Sequence, residues 1–96
     1  MIRFVKGLPR GIANVEIAKQ LIRSSGSIGA NYIEANESLS KKDFLMRIKI
    51  SRKEPKGSIY WLKLVETKDQ EKSRESLIGE ATELMKILGS IAEKTK

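Results

Sequence analysis

The sequence contains no cysteine and no histidine. Without cysteine there is no disulfide, no zinc–thiolate or iron–sulfur site and no thiolate nucleophile. Without histidine there is no Ser-His-Asp arrangement, no imidazole acid–base group and little basis for a transition-metal site. Aromatic residues make up only 5% of the chain, and there are two prolines. No apolar run approaches the ~20 residues that span a bilayer. The stretch from Met1 to Lys6 has no signal-peptide apolar region. These absences point to a cytoplasmic protein with no membrane association. The lack of cysteine is in itself no argument for secretion.

What is present describes one domain over residues 1–96, with 40% hydrophobic and 32% charged residues. A compact fold of 10.8 kDa exposes on the order of 5,500 Å². Nineteen basic against twelve acidic residues leave a net charge of +7, and it is unevenly spread. Residues 1–40 carry five basic and three acidic side chains, residues 41–68 nine and three, and residues 69–96 five and six. The middle third is the basic element.

Periodicity is helical throughout, with no strand-like alternation. The turn Leu8-Pro9-Arg10-Gly11 leaves residues 1–7 as a helical stub. A second helix is expected over 14–36, with Asn14 as its N-cap. Its stripe runs through Ile17, Leu21, Ile28 and Tyr32, and a second row runs through Ile22, Gly29 and Ile33. The small residues Ser24, Ser25, Gly26, Ser27, Gly29 and Ala30 lower helix propensity and allow another helix to come close. Ser40 three residues before Asp43 is a capping-box pattern. It opens a third helix over 41–68, whose core stripe is Phe44, Ile48, Ser51, Ile59, Leu62 and Val65. Pro55 removes a hydrogen bond and clashes with the preceding turn, so a kink or break is expected near it. The fourth helix, 72–94, carries the regular row Leu77, Ala81, Leu84, Leu88 and Ile91. The fold class is therefore all-α. It is an antiparallel up-down-up-down four-helix bundle whose first helix is truncated to a stub.

The ordered set Ile28-Gly29-Ala30-Asn31, Ser40-Lys41-Lys42-Asp43-Phe44, Lys53-Glu54 and Tyr60-Trp61-Leu62 resembles one bacterial family. It is the four-helix-bundle family of 23S rRNA intervening-sequence proteins, also labelled ribosomal-protein-like. The resemblance covers about Phe4 to Ile91. It implies a homopentamer and similarity to the accessory protein of diversity-generating retroelements, which works with a reverse transcriptase and RNA. A protein partner such as a reverse transcriptase is thereby implied. The chain departs from the family pattern at its shortened first helix and at Pro55 and Gly57.

Lys42, Lys49, Lys56 and Lys63 recur every seven residues. A helix drifts only ~20° per heptad, so they share a face. Lys53 and Tyr60 fall beside the same row. These six residues are the candidate nucleic-acid contacts, with lysines on phosphates and Tyr60 offering a stacking surface. The plain alternative is a solvated helix face. Gly26 and Gly29 spell the GxxG of KH domains, but that module needs a sheet. Asn31 and Glu34, with Tyr32, suggest a hydrogen-bond network or interface pins, or simply a solvent-exposed face. Glu34, Glu37 and Asp43 lack the phosphate loop or acidic cage that would hold Mg²⁺. Ser24, Ser25 and Ser27 have no base positioned to activate them. No catalytic residue, metal or cofactor is expected.

The function these features suggest is a non-enzymatic homo-oligomeric bundle with a basic helix face for RNA or other nucleic acid. The alternative is an interaction adaptor, in which the short first helix leaves an apolar groove for a partner's helix.

Overall fold

The computed structural model describes residues 1–95 as four α-helices. They are α1 (Ile2–Lys6), α2 (Ile12–Asn36), α3 (Lys41–Leu64) and α4 (Glu71–Thr95). No strand occurs among the described residues. The third helix is central. It packs against both α2 and α4, whereas α2 and α4 barely touch.

Several boundaries differ from expectation. The second helix begins at Ile12, with Gly11 as its N-cap. Asn14 is therefore no cap. It lies within the first turn, buried, and its side chain does longer-range work. Its Nδ2 donates to the carbonyls of Pro9 (2.9 Å) and Glu66 (3.0 Å), and its Oδ1 accepts from the Glu66 amide (3.1 Å). The amide thus ties the α1–α2 connection to the α3–α4 connection. The third helix ends at Leu64, not Lys68, because Val65 turns extended and buries its side chain.

Pro55 does not break α3, which is continuous from Lys41 to Leu64. The proline is itself buried, and packing on both flanks holds the helix through the lost hydrogen bond. At the N-terminus of α3, Ser40 Oγ accepts from the Asp43 amide at 3.1 Å, so that cap forms as its pattern predicts. In the first turn of α4, the Glu71 carboxyl is held below its ordinary pKa, chiefly by the Thr67 hydroxyl that donates to it.

The core has two parts. At one end Phe4 and Leu8 close over Leu21, Leu62 and Val65, with Trp61, Leu77 and Ile78 packed alongside. At the other end Ala35, Ile48, Leu88 and Ala92 are buried, with Phe44, Leu45, Leu84 and Ile91 around them. Each large aliphatic side chain fully buried in this way contributes about 1.5–3 kcal/mol. A layer of serines lies between. Ser24 and Ser58 are buried with their hydroxyls 2.8 Å apart, and Ser51 donates to the Ile28 carbonyl at 3.0 Å. Side chains this small let α2 and α3 approach closely, and each hydroxyl is satisfied. Ser58 and Pro55, not Ile59, occupy the buried positions of α3.

The chain exposes 6615 Å², about 1,100 Å² more than a compact globule of its mass. The bundle is elongated, 45 × 20 × 17 Å, and one of its corners is open.

Candidate nucleic-acid interface

The outer face of α3 is set by what its inner faces need. Ile48, Ser51, Pro55, Ser58 and Leu62 point inward. The two arginines lean to opposite sides. Arg47 Nη1 reaches Asn31 Oδ1 on α2 at 3.5 Å, and the Arg52 guanidinium lies beside Gly89 on α4. Glu54 turns to α2 as well, 3.7 Å from Arg23 Nη1. The lysines of α3 form no salt bridge among the described residues and remain on the solvent side.

Lys42, Lys49, Lys53, Lys56, Tyr60 and Lys63 are all exposed. None of the five ammonium groups is in a salt bridge among the described residues. Heptad lysines on one helix rise about 10 Å per step, so the row from Lys42 to Lys63 runs roughly 30 Å. Lys42, Lys49 and Lys53 border one shallow depression of about 630 Å³, together with Asp43, Met46 and Ile50. Asp43 is the negative group at that end. Lys56, Tyr60 and Lys63 continue the row beyond it. The Tyr60 ring stands edge-on to Trp61, with centroids 5.1 Å apart and planes at 69°. That contact steadies the phenol ring while its side chain stays exposed.

Sequence reasoning did not single out Met46 and Leu64 as exposed apolar neighbours of the lysines. Their positions one step around the helix from Lys42, Lys49 and Lys63 would have shown it. Asn31 is half-buried and also donates to the Ser27 carbonyl and hydroxyl, so it belongs to the α2–α3 contact. Glu34 is exposed and Tyr32 lies on the rim of the open corner. No group of three or more acidic side chains able to hold a metal ion occurs among the described residues. None of their helices is long and apolar enough to cross a membrane.

Comparison with known proteins adds two findings. The family model described as 23S rRNA-intervening sequence protein matches residues 1–90. A solved structure from Bacteroides thetaiotaomicron superimposes with a TM-score of 0.71 at 35% identity, over 79% of this chain and 72% of that one. That protein is described as one of unknown function from the S23 ribosomal protein family. No curated protein matches the sequence.

Proposed function

This chain belongs to the 23S rRNA-intervening sequence protein family, and on that premise we propose that it is a non-enzymatic, cytoplasmic bacterial protein that binds RNA by its backbone. The contact surface is the outer face of α3. Lys42, Lys49, Lys53, Lys56 and Lys63 meet phosphates, and Tyr60 stacks on a base. The observation that carries this reading is the row of exposed lysines, none of them salt-bridged among the described residues, on a helix whose arginines are turned aside to α2 and α4.

One such row binds weakly, because each lysine–phosphate contact in water is screened within about 10 Å at 0.1 M salt. Repetition of the row in a homo-oligomer, a pentamer by family resemblance, sums the contacts. The row lacks amide side chains and arginine forks, the groups that read base edges. Binding is therefore expected to be indifferent to sequence.

The test is fluorescence anisotropy of a labelled single-stranded RNA across a salt series, with the oligomeric mass measured by light scattering. If all five lysines of one row engage, the log–log salt slope is about −3.5. Lys49→Glu with Lys56→Glu should weaken binding and flatten that slope. An unchanged affinity in this variant overturns the assignment of the face.

A further inference from the structure

Helix α3 carries two acidic residues, and they are placed differently. Glu54 lies against Arg23 of α2, whereas Asp43 stands on the lysine face. There it lines the depression of about 630 Å³ together with Lys42, Lys49 and Lys53, and Met46 and Ile50 give that depression apolar surface. Asp43 is half-buried, and its backbone amide donates to the Ser40 hydroxyl. Its carboxylate has no hydrogen-bond or salt-bridge partner among the described residues. A carboxylate accepts hydrogen bonds and donates none. Set in a row that collects phosphates, it repels the ligand unless the ligand brings a donor to that spot.

We propose that the depression holds one nucleotide of an RNA strand, with the Asp43 carboxylate accepting a hydrogen bond from the ribose 2′-hydroxyl. The face then selects RNA over DNA. This rests on the RNA reading of α3 and adds to it the choice of sugar. Three observations define the ligand. Three lysines line the depression and suit the phosphodiesters that flank a nucleotide. Met46, 48% exposed, and Ile50 offer apolar surface for the sugar edge and base. Asp43 supplies the acceptor. The lysines follow the backbone without fixing a base, so the donor that meets Asp43 must be one that every nucleotide carries. In RNA that donor is the 2′-hydroxyl, and DNA has none at that position.

A free phosphate or a phosphate-rich lipid surface satisfies the lysines but leaves Asp43 facing more negative charge. Asp43 also lies in the first turn of α3, where a carboxylate suits the helix dipole. That role stabilises the chain and does not distinguish ribose from deoxyribose, so experiment can separate the two.

The test uses the full chain and fluorescein-labelled oligouridine strands of equal length, with ribose, 2′-deoxyribose or 2′-fluororibose sugars. The 2′-fluoro strand keeps the ribose pucker and lacks the donor. The ribose strand is expected to bind about fivefold more tightly than either of the others. That ratio should hold across a salt series, because all three strands release the same counterions. Asp43→Ala should erase the difference between the strands and, by removing a repulsive charge, strengthen the deoxyribose strand. The variant keeps the amide that the Ser40 hydroxyl caps, and circular dichroism and Tm check its fold. Lys49→Glu with Lys56→Glu should weaken all three strands. Equal affinity of the ribose and 2′-fluoro strands for the unaltered chain overturns the proposal while leaving the lysine face as the RNA site, and that comparison needs no variant. A preference for ribose that survives in a folded Asp43→Ala chain also overturns it. Tighter binding to phosphatidylglycerol vesicles than to any strand overturns it in favour of a lipid surface. Binding of no strand at low salt overturns both this proposal and the RNA reading.

Discussion

The two ends of the bundle contain the same three long helices and differ in whether α1 is there. Where α1 packs, the buried residues are large: Phe4, Leu8, Leu21, Leu62 and Val65. Where it does not, two of the four buried residues are alanines, Ala35 and Ala92. Larger side chains at the opening, Tyr32 and Ile87, stay substantially exposed. A large apolar side chain is removed from water only when it is surrounded. Three helices around one corner surround the residues facing α3 and leave those facing the missing neighbour uncovered. The larger buried side chains lie at the α1 end, and the corner at the other end stays open.

The sharpest way to break this comparison is the same deletion at both ends. Leu21 and Leu88 are almost fully buried, but Leu21 sits in the cluster closed by Phe4 and Leu8, whereas Leu88 lines a hollow of the open corner. Leu21→Ala should cost about 4–5 kcal/mol and Leu88→Ala about 2–3 kcal/mol, because a site beside an opening collapses or hydrates more readily. Urea unfolding measures both, and equal losses would mean that the two ends are closed to the same degree. Asn14→Ala comes next. It leaves the Glu66 amide and two carbonyls without their partner, at a cost of roughly 2 kcal/mol. The loss should be accompanied by faster hydrogen exchange in α1 and in the α3–α4 connection, but not at the Ala35 end.

Glycine substitutions give the smallest effects, of opposite sign at the two ends. Gly29→Ala meets open space within a helix and should stabilise the free chain by up to about 1 kcal/mol. Gly7→Ala forces the Gln70 amide away from the Phe4 carbonyl it donates to and should cost about 1 kcal/mol. Thermal unfolding resolves the difference. Stabilisation at both positions would remove the distinction between a closed and an open end.

The spacing of side chains determined which residues form helices and which face each helix turns to water. Four helices, the Ser40 cap and the outward position of the lysine row follow from local rules. These are a 3.6-residue period, an orphan amide that needs an acceptor, and a charge too costly to bury unpaired. The tertiary structure alone decided what each inward face meets. Asn14 reads as a cap by its neighbours in the chain, yet its partner Glu66 lies fifty-two residues away. Pro55 reads as a breaker, but packing on two sides keeps α3 whole. Arg47 and Arg52 belong to the same basic segment as the lysines, and only the positions of α2 and α4 draw them off that face. Periodicity within one helix is a property of that helix. The presence of a neighbour on each side is a property of the whole bundle, and so is the empty corner between α2 and α4.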